Sequence, residues 1–115
     1  MSDLTDNTLQ KLRLEMRRGS IVLAVLSKLK KEHYGYSLRK ALVSQGLDID
    51  EGTLYPLVRR LEKQGLLDSE WREEGKRNKR FYSLSAEGHE VLKHLTAEWQ
   101  NLDAALQRIV NGRTT

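Results

Sequence analysis

Apolar residues in this chain recur mostly at helical spacing, and the clearest run is Ile49–Gly65, I-D-E-G-T-L-Y-P-L-V-R-R-L-E-K-Q-G. Leu54, Leu57, Val58 and Leu61 stand at i, i+3, i+4 and i+7, one stripe of a helix. The opposite face carries Gly52, Pro56, Arg59 and Lys63, with Thr53, Tyr55 and Arg60 beside it. Asp50 is placed to cap this helix, and Gly65 to end it in the left-handed conformation. Six residues in, Pro56 loses an N–H bond and presses on the carbonyl four residues back, at a cost of roughly 3 kcal/mol. That carbonyl belongs to Gly52, the residue type that deforms most easily. One face is built for burial; the other offers small residues and then cations, as a helix lying in a DNA groove requires. The plainer reading is an amphipathic surface helix.

The same periodicity orders the rest of the chain. Leu9, Leu12 and Met16 predict a short helix over about 8–17, and Gly19 is expected to break it. Ser20 then caps a second helix, Ile21–Lys31, with Val22, Val25, Leu26 and Leu29 inward. His33-Tyr34-Gly35-Tyr36 reads as a turn before a third helix, Tyr36–Gln45, whose inward residues are Leu38, Ala41 and Leu42. Its tight connection to the 50–64 helix is a helix-turn-helix signal. Weak alternation over 66–72 and strand-forming residues at 80–84, around a polar turn at 74–79, predict a β-hairpin with a basic tip. Ser85 caps a last helix to about Asn111, in which Leu92, Leu95, Trp99, Leu102, Leu106 and Ile109 step 3, 4, 3, 4, 3. That is an a/d seam held for nearly three heptads, suited to pairing with a second copy, with help from Leu9, Leu12 and Met16.

Composition narrows the classes. The 115 residues make one domain, 38% hydrophobic and 31% charged, with no cysteine for a disulfide, thiolate site or nucleophile. No apolar run approaches a membrane span, and the acidic start M-S-D-L-T-D-N is unlike a signal peptide, so a bacterial-type cytoplasmic protein is expected. Net charge is +4, and its distribution matters more: residues 8–31 hold seven Lys/Arg against one Glu, and 72–80 hold five against two. The last helix is mildly acidic. A polyanion for the front and a protein partner for the back is the economical reading. There is no phosphate loop, no G-x-S-x-G and no His/Asp/Ser set with reason to converge. His89 and His94, five apart, lie on different faces of one helix, so neither an enzyme nor a metal site is expected, and no cofactor.

Four stretches together resemble the PadR family of bacterial transcriptional regulators. They are E-M-R-R-G-S-I-V-L-A-V-L (15–26), H-Y-G-Y-S-L (33–38), D-E-G-T-L-Y-P-L-V-R-R-L-E-K-Q-G-L-L (50–67) and K-R-F-Y-S-L-S-A-E-G (79–88). They cover about Glu15–Gly88 in family order and spacing, and the single C-terminal helix is similar to the shorter subfamily. The resemblance implies a homodimeric winged-helix repressor of a palindromic operator, in a family whose members often release DNA on binding a small aromatic or drug-like compound. It implies that Thr53, Tyr55 and Pro56 are recognition-helix positions, that Tyr36 touches DNA from the preceding helix, and that Lys76, Arg77 and Lys79 form the basic wing. Trp99 matches a dimer-interface tryptophan beside the flat ligand of multidrug-sensing relatives. The wing lacks the paired glycines or prolines common in the family.

The expected fold is therefore mainly α with a small β-hairpin. A winged helix-turn-helix domain (19–84) follows an N-terminal helix (1–18) that supports the dimer, and precedes a C-terminal dimerisation helix (85–111) and a tail (112–115). Arg59 is the residue expected to read a guanine, with Lys63 further along the same face. The rival is a winged helix that meets an acidic protein instead of DNA.

Overall fold

The structure, a computed structural model, describes residues 2–112. Its first helix, α1, runs unbroken over Asp3–Lys28, so the break expected at Gly19 and the restart at Ser20 do not occur. A glycine inside a helix costs only about 1 kcal/mol against alanine, which flanking helix formers outweigh. Position 19 also faces open space, and its missing side chain widens a groove rather than ending the helix.

The strand β1 (His33–Tyr34) and helix α2 (Gly35–Ser44) follow. The turn expected at 33–36 is in fact a two-residue strand, too short to leave any periodicity in the sequence. Helix α3 spans Glu51–Lys63, and strands β2 (Leu67–Glu74) and β3 (Arg77–Leu84) form the hairpin. The three strands make one antiparallel sheet in the order β1-β3-β2, with Tyr34 opposite Phe81 and Leu67 opposite Leu84. Helix α4 runs over Ala86–Val110. The last three residues of the expected tail lie outside the described residues.

One core joins these elements. Val25, Leu26 and Leu29 of α1, Leu38 and Leu42 of α2, and Leu54, Val58 and Leu61 of α3 are buried together with Ile49, Leu67, Leu84 and Leu92. Leu57 and Val22, expected inward, are only half-buried. Chain reversals are fixed where predicted: Gly65 takes φ +82° after α3, a conformation a side chain would resist.

The seam of α4 is not uniform. Exposure climbs from 3% at Leu92 to 46% at Trp99 and 72% at Ile109. Leu92 therefore belongs to the chain's own core and is withdrawn from the expected partner-facing set, because the first turns of α4 still lie on the winged domain. Beyond them the helix, roughly 37 Å long at 1.5 Å per residue, leaves its own domain. The radius of gyration, 17.1 Å, exceeds the roughly 13 Å of a compact domain this long.

The start of α4 is held by a close approach. A Cβ added at Gly88 would lie 2.0 Å from the Leu66 carbonyl oxygen, a backbone atom with no easy retreat. Gly88→Ala is therefore expected to destabilise the fold by about 2–3 kcal/mol through overpacking, read as a lower urea midpoint with unchanged slope.

Candidate nucleic-acid interface

The connection between α2 and α3 is pinned from both sides. Arg39 Nε donates to the Ile49 carbonyl at 2.8 Å, and Arg17 donates to that of Asp48 at 2.5 Å. Asp50 then caps α3, its Oδ1 accepting the Thr53 N–H at 3.0 Å. Hydrogen bonds from the side chain and backbone of Thr53 hold the Asp50 carboxyl below its usual range. These contacts fix the angle at which α3 is presented.

Gly52, Thr53, Pro56, Arg59, Arg60 and Lys63 are exposed along one side of that helix. Pro56 offers no N–H, so the Gly52 carbonyl lacks its usual helical donor and remains an acceptor in the open first turn. Tyr36 is exposed at the start of α2. Tyr55 behaves differently: it is half-buried, and a Cβ at Gly35 would stand 3.0 Å from its ring. Burial pushes its phenol up, so the ring acts as a neutral spacer between α2 and α3.

The hairpin beside α3 turns through two residues, Gly75 and Lys76, with Glu74 opposite Arg77. Gly75 has φ +67°, the sign that a type II′ turn demands at its first central position. Lys76 and Arg77 are exposed at the tip. Lys79 is further in, its ammonium 4.2 Å from the centre of the Tyr34 ring and 3.8 Å from Glu74.

Four charged residues that sequence reasoning did not single out, Glu32, Glu62, Arg72 and Arg80, hold the hairpin in place. Arg80, alternate in the strand, turns away from the tip and donates to both oxygens of Glu62 on α3 at 2.8 and 3.0 Å, and to Ser69 at 3.0 Å. Ser69 also donates to Glu62. Burial raises the Glu62 carboxyl, but the Ser69 hydroxyl and the Arg80 guanidinium together hold it below the usual carboxylate range. Arg72 donates to Glu32, beyond α1, at 2.5 and 2.6 Å, and stacks 4.6 Å over Phe81. The only signal in the sequence was alternation of charge along β2 and β3, which a solvated hairpin shows equally.

The expected pairing residues are on another side. Met16, Gly19 and Leu23 of α1 and Leu95, Trp99 and Leu102 of α4 line a groove of about 440 Å³. Leu12, Leu106 and Ile109 are exposed and Leu9 is half-buried. Among the described residues no His, Cys, Asp or Glu cluster is arranged to hold a metal, and no helix is long and apolar enough to cross a membrane.

The molecule is a helix-turn-helix with a basic two-stranded wing, and comparison with known proteins decides its family. The profile of the Transcriptional regulator PadR-like family matches residues 22–94. This chain belongs to the PadR-like family. It is a DNA-binding transcriptional regulator rather than an enzyme, as its family is. A PadR family transcriptional regulator from Eggerthella lenta is 40% identical, with a TM-score of 0.85 over 95% of this chain and 97% of the other. A PadR family transcription regulator from Clostridium difficile is 26% identical, with a TM-score of 0.73 over 78% and 97%. A transcriptional regulator of Mycobacterium tuberculosis is 31% identical over 87% of this chain and 92% of its own.

In this PadR-family regulator the Glu62–Arg80 clamp makes wing and α3 one unit at neutral pH. A carboxyl depressed in the folded state contributes stability above its unfolded pKa, and that contribution is lost as pH falls through the lower folded value. Wing docking should therefore persist at pH 6–8 and loosen below about pH 4. Tryptophan emission, with Trp71 in the wing, is expected to shift over that acid range, and Glu62→Gln to flatten the shift.

Proposed function

We propose that this regulator acts as a homodimer, paired through α4 and the N-terminal half of α1, which represses transcription from a palindromic operator. The observation that carries this reading is the apolar face of α4 beyond Leu92, which α1 covers only in part and which is 55% exposed at Leu102 and 72% at Ile109. The chain exposes 8757 Å², against roughly 6,500 Å² for a compact monomer of its mass. The surplus, roughly 2,300 Å², lies within what one partner contributes to an obligate homodimer interface.

In this reading two α3 helices enter successive major grooves, roughly 34–36 Å apart along the duplex. Arg59 reads a guanine edge, and Thr53 and the Gly52–Pro56 turn approach thymine methyls or phosphates. Tyr36, Lys63, Lys76 and Arg77 contribute phosphate contacts, which add affinity without sequence choice, while Lys79, held over Tyr34 and beside Glu74, supports the wing they stand on. Tyr55 acts by setting the pose of α3. Repression follows from occupying the promoter.

The groove beside Trp99 supports the effector part of the proposal. Its apolar lining and a half-exposed indole suit a flat aromatic compound, held between the two copies of Trp99 across the twofold axis. Such a compound releases DNA only by binding the DNA-free arrangement more tightly than the DNA-bound one.

Sedimentation and gel shifts on the protein's own promoter test this together. The wild type is expected to sediment as a dimer and to shift an inverted repeat, while Leu102→Asp with Leu106→Asp is expected to give monomers with DNA affinity reduced at least a hundredfold. A monomeric wild type that binds the same DNA equally well would overturn the dimer. Arg59→Ala should remove about 1–3 kcal/mol of discrimination at one base pair of each half-site. Unchanged operator preference would end its base-reading role.

A further inference from the structure

Arg59 and Arg60 are neighbours in the chain, but one residue of helix turns the backbone by about 100°, so they leave α3 toward different flanks. Arg59 joins Tyr55, Val58 and Arg80 on the wing side. Arg60 joins Thr53, Pro56 and Leu57 on the other flank, where the facing wall is α1. There Arg18, Ile21 and Val22 complete a cleft of about 330 Å³.

This cleft has an apolar floor and cationic walls. Ile21, Val22 and Leu57 are half-buried, whereas Arg18 and Arg60 are exposed. Neither arginine makes an ion pair or a side-chain hydrogen bond among the described residues. Arg17 does: it donates to the Asp48 carbonyl at 2.5 Å and so holds α1 against the connection before α3. Because α1 is one uninterrupted helix, that bond also fixes where Arg18 projects from. Toward the start of α3 the charge changes sign. An adjoining cavity of about 300 Å³ shares Ile21 and Thr53 with the cleft and is lined by Asp48 and Asp50. Asp50 is committed to its cap on Thr53 and stays ionised there. An anion is therefore held at the Arg18–Arg60 end and repelled from the other.

We propose that this cleft is a further DNA-contacting surface, in which Arg18 of α1 and Arg60 of α3 hold phosphates of the strand beside α3, on the flank opposite the wing. The inference rests on the reading of α3 as the helix that enters the major groove, and it gives α1, otherwise a pairing element, a second role. A sugar–phosphate strand has the matching chemistry: anionic oxygens at intervals, with deoxyribose carbons between them that suit an apolar floor. Position favours DNA over an acidic protein segment. Thr53 and Pro56, at the edge of the cleft, belong to the exposed side of α3, so a duplex docked on that side brings its backbone to the cleft. Guanidinium contacts of this kind position a protein on the duplex and carry no sequence information.

Gel shifts of the full-length protein across salt concentrations, on promoter duplex and on an unrelated duplex, test the assignment. Arg18→Gln is expected to weaken both by the same factor, about tenfold at low salt, and to lower the salt slope by about one per chain bound. Arg60→Gln should behave alike, and Arg18→Lys should keep the slope. Arg108→Gln, which removes an exposed charge from α4, should leave it unchanged. Phosphate ethylation should interfere at fewer positions with Arg18→Gln than with the wild type, the loss falling on one flank of each contacted groove. Circular dichroism and sedimentation accompany each variant, because Arg18 is next to Gly19 in α1. An Arg18→Gln protein with wild-type affinity and slope would overturn the assignment and leave operator binding intact. So would a variant that loses DNA only by dissociating into monomers, since a second copy would then be what occupies the cleft. A wild type that shifts neither duplex would overturn the operator reading, and this assignment with it.

Discussion

The orientation of α4 rests on one buried hydroxyl. Ser85 is placed where the end of α3, the start of β2 and the end of β3 converge, and its side chain does two tasks there. The hydroxyl donates to the Gly65 carbonyl at 2.6 Å and accepts the Gly88 N–H at 3.0 Å, while its own N–H donates to the Leu66 carbonyl at 3.0 Å. One residue thus caps α4 and ties that cap to the turn that ends α3. A hydroxyl with both its roles filled costs little to bury, whereas one left unmade costs about 1–3 kcal/mol. Because Gly88 admits the Leu66 backbone so closely, α4 has little freedom to tilt about this point. Any pairing of α4 with a second copy would accordingly transmit its geometry straight to α3.

How much of this could be read in the residues follows from where each signal comes from. Helix α3, its Asp50 cap, its Gly65 stop and the Ser85 cap were legible because capping and stripe spacing are local chemistry. The continuity of α1 was not, since one glycine weighs about 1 kcal/mol and a 26-residue helix sums many small preferences. Strand β1 is two residues long, and nothing local distinguishes two extended residues from a turn. Leu92 sits on the same 3-4 spacing as Trp99, yet one is buried in its own chain and the other is half-exposed. Periodicity identifies a face, and only the tertiary path of the helix says what covers each part of it. The Glu62–Arg80 clamp joins residues eighteen apart, and no local spacing in the sequence links a helix carboxylate to a strand guanidinium at that distance.

That clamp changes what the basic wing is. Five of the cations over residues 72–80 were counted as one electrostatic patch, but Arg72, Lys79 and Arg80 each face a carboxylate. Lys76 and Arg77 alone project at the tip without such a partner among the described ion pairs. Half-exposed ion pairs add little to global stability, and a pair such as Glu62 with Arg80 does more by fixing geometry than by its net energy. The division is physical: inner charges hold the hairpin against α3 and β1, and outer charges are left exposed at the tip. Arg77 and Lys79 share one face of β3, so distance from the tip rather than side of the strand separates outer from inner charges.

The same anchoring bears on how a ligand in the proposed groove beside Trp99 would act. A compound in the groove between α1 and α4 touches no residue of α3, so it can influence DNA only by shifting the balance between arrangements of the pair. Its effect is then limited by the difference in its affinities for those arrangements, however tightly it binds.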